Sequence, residues 1–111
     1  MTVEETLASV VDRFNRHAAQ NPAVAEELDG ISRTIQIRLT DEGTYAVDLA
    51  QGRLRNLRSG PAAGAEVRIT TDATTFDALV KKEIGPMKAL VTRKLSIEGS
   101  LEDKLLFRKL L

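Results

Sequence analysis

The sequence contains no cysteine or tryptophan, and only one tyrosine and three phenylalanines. The lack of cysteine excludes disulfides, thiolate metal ligands and thiol nucleophiles. Single-stranded nucleic acids bind to basic grooves with aromatic stacking platforms, for which so few aromatic residues are insufficient. The 16 basic and 16 acidic residues cancel, so no net field attracts a nucleic acid. We expect no nucleic-acid partner.

Long apolar runs are also missing. No segment approaches the roughly 20 residues of a membrane span, and the N-terminus has no basic-then-apolar signal pattern. The 42% hydrophobic and 29% charged fractions are ordinary for a globular protein, and 111 residues is a common length for one domain. We therefore expect one soluble, cytoplasmic domain over residues 1–111.

Residues with catalytic potential are few. The only histidine, His17, lies near the predicted end of the first helix and is expected to stabilise that end. The adjacent acidic pairs fall in or near first helical turns, where they complement the helix dipole. The glycine-rich segment 60–64 lacks the Lys-Ser/Thr of a phosphate loop and precedes a strand. We predict no enzymatic activity, no metal site and no cofactor.

Charge is distributed unevenly along the chain. Residues 1–51 contain 4 basic and 9 acidic side chains, whereas residues 52–111 contain 12 basic and 7 acidic ones. Either the two halves fold together with their charges facing each other or water, or the second half provides a basic surface for an anionic headgroup, a phosphate or a membrane.

Helical patterns open and close the sequence. Thr2 and Glu5 form a capping-box pattern ahead of an apolar stripe at helical spacing, and Asn21-Pro22 begins a short second helix. Asp72 is a predicted N-cap, and Gly85-Pro86 separates two further helices. A last helix begins at the Ser100–Asp103 capping box and continues to the C-terminus.

Period-2 alternation between these helices predicts the strands. The alternating segments centre on Ile37, Val47, Leu54–Arg58, Val67 and Ser96. Short turns join most of them, so their pairing must be mostly antiparallel. The sequence predicts an α+β fold with about five strands in a mainly antiparallel sheet covered by helices.

The last helix has more apolar residues than one surface stripe needs: Leu101, Leu105, Leu106, Phe107, Leu110 and Leu111. Such a wide apolar surface on the helix is equally consistent with core packing, with a dimer contact and with a lid over a lipid pocket.

Residues 65–111 resemble the second half of a sterol carrier protein 2 (non-specific lipid transfer) domain. The resemblance rests on the strand Val67–Thr70, the Asp72-capped helix, the segment Ile84–Leu90 and the segment Lys94–Gly99 before the last helix. The first half agrees in element order. The family often has glycine near the positions of Lys82 and Arg93, where this chain adds bulk and charge at helix ends.

The resemblance implies binding and transport of a lipid in an internal apolar tunnel. The ligand would be a fatty acyl chain, an acyl-CoA, a phospholipid or a sterol- or isoprenoid-like molecule. The implied lining residues are Phe76, Val80, Ile84, Met87, Leu90, Leu105, Leu106 and Leu110. Lys88, Arg93 or Lys94 would hold a carboxylate or phosphate headgroup at the rim.

The sequence ends at Leu111 without a peroxisomal Ser-Lys-Leu address, so the resemblance implies a stand-alone, prokaryotic member. Transient membrane contact and a homodimer are further expectations. A rival hypothesis is a protein-interaction module that uses the apolar C-terminal helix and binds no ligand. An enzyme of lipid or acyl-thioester metabolism is the other rival, for which the sequence offers no nucleophile–base pair.

Overall fold

Helices pack on one face of a five-stranded sheet in the structure, a computed structural model that describes residues 2–104. Four helical residues, 101–104, follow the last strand. The elements are α1 (Val3–Gln20), α2 (Pro22–Glu27), β1 (Ser32–Leu39), β2 (Gly43–Ala50), β3 (Arg53–Ser59), β4 (Val67–Thr71), α3 (Ala73–Val80), α4 (Pro86–Val91) and β5 (Leu95–Glu98). The strand order is β3-β2-β1-β4-β5. This architecture confirms the predicted α+β fold.

One strand pair departs from the antiparallel pattern. Strands β1 and β4 are parallel, with Ile35 opposite Val67, whereas the other three pairs are antiparallel. The argument from short turns applies only to strands that follow each other directly, and the β2–β3 hairpin separates these two. The segment 60–66 then crosses the polar face of β1, where the backbone N–H of Ala62 donates to the Gln36 side chain at 3.1 Å.

The first two helices begin at the predicted residues. The Thr2 side chain accepts a hydrogen bond from the backbone N–H of Glu5 at 3.1 Å, and its hydroxyl donates to the Glu5 carboxylate at 3.2 Å. The Asn21 side chain accepts from the backbone N–H of Ala23, with Pro22 as the first residue of α2. Local capping therefore determines where both helices start.

The hydrophobic core lies between the helices and the apolar face of the sheet. Alternate residues of β1, β2 and β4 point to this face, since the side-chain period of a strand is two. Its main buried cluster consists of Leu28, Ile35, Val47, Leu49 and Val67. A second cluster of Leu7, Leu39 and Tyr45 lies against Phe76 of α3. The fold therefore places α1, α2 and α3 on the same side of the sheet.

The Asn15 side chain fastens α1 to the edge strand β3. Its amide nitrogen donates to the Leu54 carbonyl at 2.8 Å, and its amide oxygen accepts from the Leu54 backbone N–H at 2.8 Å. Both bonds are partly buried, so the amide satisfies two backbone groups that face away from β2.

Asn15→Ala is expected to lower the free energy of unfolding by about 1–2 kcal/mol, because both Leu54 backbone groups lose their partner. The measurement is urea denaturation followed by circular dichroism. The matched control is Arg16→Ala, whose exposed side chain bonds only to a carbonyl of its own helix and should change stability by less than ~0.5 kcal/mol. Equal effects of the two substitutions would contradict this role of Asn15.

The start of the last helix is tied to β1 by an ion pair. Arg33 Nε lies 2.9 Å from Oδ1 and 3.1 Å from Oδ2 of Asp103, whose residue is 5% exposed. The backbone N–H of Asp103 also donates to Ser100 Oγ at 3.1 Å, as the capping pattern predicts. The first residues of this helix, 101–104, are therefore fixed to the sheet by Asp103.

Candidate functional site

The candidate site is an apolar cavity of about 520 Å³ between the sheet and the helices. Its floor is the β4–β5 half of the sheet, and its walls come from α1, α3 and the segment that joins α3 to α4. The lining residues are Val10, Arg13, Ile69, Thr71, Phe76, Leu79, Val80, Lys82, Ile84, Gly85, Pro86, Leu95 and Ile97. The volume lies in the range of small-molecule binding sites.

The cavity arises because the helices over β4 and β5 are short. Helix α3 has 8 residues and α4 has 6, which correspond to lengths of about 12 and 9 Å. The left-handed Lys82 follows the end of α3, and Pro86 opens α4 after the bend. The joining segment 81–85 therefore frames the space instead of filling it.

The structure brings together part of the predicted lining. Phe76, Val80 and Ile84 all line the cavity, whereas Met87 and Leu90 do not. In α4 the residue that faces the sheet is Ala89, which is fully buried, so Met87 on another side of this short helix is 45% exposed. The predicted lining residues Leu105, Leu106 and Leu110 lie outside the described residues. Ligand contact stays a prediction for the whole set.

Sequence reasoning missed the contribution of α1 and of the sheet floor. Val10 of α1 lines the cavity together with Arg13, three residues later. Positions three apart lie on the same side of a helix, so this spacing was the available signal. Ile69 and Ile97 face each other across the β4–β5 pair and lie in the floor.

Two cations line the cavity, and neither is one of the predicted rim cations. The predicted Lys88, Arg93 and Lys94 are all exposed and lie outside the lining, because they belong to α4 and to the turn after it. Arg13 and Lys82 take this place instead. The histidine that was considered for acid–base chemistry, His17, is exposed in the last turn of α1 and outside the lining.

Lys82 and Arg93 share an unusual backbone conformation. Their φ angles are +60° and +62°, and each residue directly follows the C-cap residue of a short helix, Lys81 for α3 and Thr92 for α4. Glycine is the residue that adopts this conformation most readily. Lys82 and Arg93 are therefore left-handed residues that terminate the two short helices.

Arg93→Gly is expected to raise the free energy of unfolding by about 0.5–1 kcal/mol, because relief of the left-handed conformation outweighs the entropy that glycine adds to the unfolded chain. Thermal and urea unfolding measure the change. The control is Lys94→Gly at the next position, whose φ is not positive, and which should not stabilise the protein. A loss of stability in Arg93→Gly would show that its side chain makes contacts that outweigh the strain.

The N-terminus of α3, which carries Phe76 into the cavity, is capped twice. The backbone N–H and the hydroxyl of Thr75 donate to the Asp72 carboxylate at 2.7 and 2.9 Å, and the backbone N–H of Ala73 donates to Asp41 at 2.9 Å. The hydrogen bonds from Thr75, first from its backbone and then from its hydroxyl, lower the pKa of Asp72. The ionised form of Asp72 therefore stabilises the wall of the cavity.

A lowered pKa in the folded state means that this stabilisation is complete above the ordinary aspartate pKa, ~3.9, and is lost as the pH falls through the lower folded value. Asp72→Asn keeps an acceptor for the cap but does not titrate. We expect it to be less stable than the native chain at pH ~6, with a difference that shrinks towards pH ~3. Urea denaturation from pH ~3 to ~6 measures the difference in the free energy of unfolding. A difference that stays constant with pH would contradict stabilisation by the ionised form of Asp72.

Residues 2–104 contain no group of three or more His, Cys, Asp or Glu side chains that could hold a metal ion. Within the same range no helix has the length and hydropathy needed to cross a bilayer. Of the lining residues, the only hydroxyl belongs to Thr71, and it donates to the Lys94 carbonyl at 2.8 Å. The chemistry available in the described cavity is therefore apolar contact together with two positive charges.

The sequence matches the SCP-2 sterol transfer family over residues 12–111, so the chain belongs to this family. It is similar in structure to a UbiJ-SCP2 ubiquinone synthesis protein, with a TM-score of 0.66 and 13% identity over 93% of this chain and 90% of that one. It is also similar to palmitated SCP2L2 from Aedes aegypti, with a TM-score of 0.60 and 20% identity over 96% and 92% of the two chains.

A further similarity involves part of a much longer protein. The sec-alkylsulfatase Pisa1 from Pseudomonas sp. matches with a TM-score of 0.62 and 20% identity over 78% of this chain. The match spans only 14% of the sulfatase chain. No functionally curated protein matches the sequence. At these identities the structural likenesses establish the fold, and the family match suggests lipid or sterol binding or transfer.

Proposed function

We propose that the protein binds a lipid in the cavity beside β4 and β5 and carries it without changing it chemically. The observation that supports this most directly is the volume of about 520 Å³ lined almost entirely by apolar side chains. Membership of the SCP-2 sterol transfer family supports the same role.

The energetics of an apolar cavity favour an occupant. The cavity has an open mouth, so its apolar lining is in contact with solvent when no ligand is bound. An alkyl chain that contacts the lining removes this apolar surface from water and buries its own, at about 25 cal/mol per Å².

A carrier role, rather than catalysis, fits the groups that line the cavity. Bond cleavage by acid–base or nucleophilic chemistry needs a nucleophile next to a base. Among the described lining residues, Thr71 uses its hydroxyl as a donor to a backbone carbonyl, and the ionisable groups are the cations Arg13 and Lys82. We infer that the ligand leaves the protein unchanged.

We propose that the ligand is a fatty acyl chain, an acyl-CoA, a phospholipid or a sterol- or isoprenoid-like lipid. We propose transient contact with a membrane as the route of loading and unloading, since a lipid has to leave one apolar phase for another. Cytoplasmic location and a homodimer stay predictions, as does the rival role of the C-terminal helix as a protein-binding element.

Val80→Trp is expected to weaken binding of hexadecanoic acid by at least about tenfold, because the added indole occupies space in the cavity. Isothermal titration calorimetry on delipidated protein measures it, with native mass spectrometry for stoichiometry. Ile84→Trp, from another wall of the same cavity, should have the same effect. The matched control is Val91→Trp, because Val91 is 77% exposed and lies outside the lining.

Melting temperatures and circular dichroism establish that each variant is folded before binding is compared. Unchanged affinity in folded Val80→Trp and Ile84→Trp would contradict a site in this cavity. A different outcome is that the native chain has the mass of a dimer and binds no fatty acid, fatty alcohol or sterol. In that case a protein-interaction module that binds no ligand becomes the better hypothesis.

A further inference from the structure

The cavity lining is unbalanced in charge. Among the 13 described residues that line it, two are cations, Arg13 and Lys82, and none is an acid. The neighbouring Lys81, by contrast, is paired, with its Nζ 2.9 Å from a carboxylate oxygen of Asp77. The two lining cations form no ion pair with any residue in 2–104. Their charge is therefore available to a ligand.

Arg13 is positioned by a bond across the cavity mouth. One of its terminal nitrogens donates to the Val80 carbonyl at 3.3 Å, which joins α1 to the end of α3. A guanidinium has five N–H donors, and this contact uses one of them. Because the carbonyl takes only part of this donor capacity, the Arg13 side chain is held at the rim with donors to spare.

Lys82 is positioned by its backbone. Its φ of +60° directs the chain out of α3 and around the cavity mouth, so the residue belongs to the rim although its side chain is exposed. The side chain has no hydrogen-bond partner within the described residues. A glycine would adopt this backbone more readily, so lysine here adds a charge to the rim at the expense of conformational strain.

We propose that Arg13 and Lys82 select lipids with an anionic head, a carboxylate or a phosphate, over neutral lipids of the same chain. The inference rests on the proposed function, since it places the alkyl chain in the apolar cavity and the head at its mouth. Both residues are exposed, so with a neutral head their charges stay solvated and gain nothing, whereas an anionic head accepts charge-assisted hydrogen bonds from them. Lys82 is thus a specificity-determining residue at the cavity rim.

The experiment compares three probes with the same alkyl chain: hexadecanoic acid, hexadecyl phosphate and hexadecan-1-ol. Binding to the delipidated full chain is measured by calorimetry at pH ~8, where the carboxyl group is ionised. We expect the acid, the phosphate or both to bind at least about fivefold more tightly than the alcohol. Raising the salt from ~0.1 to ~1 M shortens the screening length from about 10 to 3 Å and should reduce this preference.

Lys82→Gln removes the charge and is expected to reduce the ratio of anionic-probe affinity to alcohol affinity about threefold to fivefold. Lys82→Gly should reduce it equally while relieving the backbone, which separates loss of charge from loss of folding. Arg13→Gln should act in the same direction. Two controls should keep the native preference: Lys81→Gln removes the neighbouring paired charge, and Arg93→Gly relieves the same backbone strain outside the lining.

The outcomes separate this inference from the proposed function. If all three probes bind with equal affinity, or if Lys82→Gln and Arg13→Gln leave the preference intact, the selection by charge is overturned while lipid binding stands. If no probe binds, the proposed function itself fails, and the inference with it. If only the acid or only the phosphate is preferred, the inference stands and the head group is identified.

Discussion

Strand β1 is the element on which the other parts of the structure depend, because it is the central strand of the sheet and joins two strands on either side. Its antiparallel partner β2 continues the sheet towards α1 and α2, and its parallel partner β4 continues it towards the cavity. Alternate residues of β1, Ile35 and Leu39 among them, point to one face in register with both neighbours. This shared register makes a single apolar face that reaches from the core to the cavity floor.

The two halves of that face are covered unequally, and the cavity follows from this difference. Helix α1 is 18 residues long and is bonded to the β3 edge, so the β1–β2 half is closed. The shorter α3 and α4, joined by a turn with a left-handed Lys82, leave space over β4 and β5. The same turn brings the cation of Lys82 to the cavity that Arg13 of α1 also lines. The site therefore combines a gap in packing with a local charge.

Local signals in the sequence predicted the elements, but not all of their arrangement. Capping by Thr2 and Asp72 depends on neighbouring residues and was predicted correctly, as was the α+β fold. The parallel pairing of β1 with β4 depends on contacts distant in sequence, which no local period encodes. Arg13 was missed for the same reason, because its role arises only where α1 meets α3. Lys82 was noticed as a replaced glycine, and the structure gives the cause in its positive φ.

The ion pair between Arg33 and Asp103 joins residues 70 positions apart in sequence. During synthesis, Arg33 emerges from the ribosome long before its partner Asp103. In the same way, β1 is synthesised before its parallel partner β4. Closing so long a loop costs more entropy than closing the hairpins between neighbouring strands, so the distant contacts form more slowly. We therefore expect the β1–β2–β3 meander to assemble first, with the β4–β5 half and the helical start at 101–104 docking afterwards. In this order the cavity floor is completed late, after the strands of the meander.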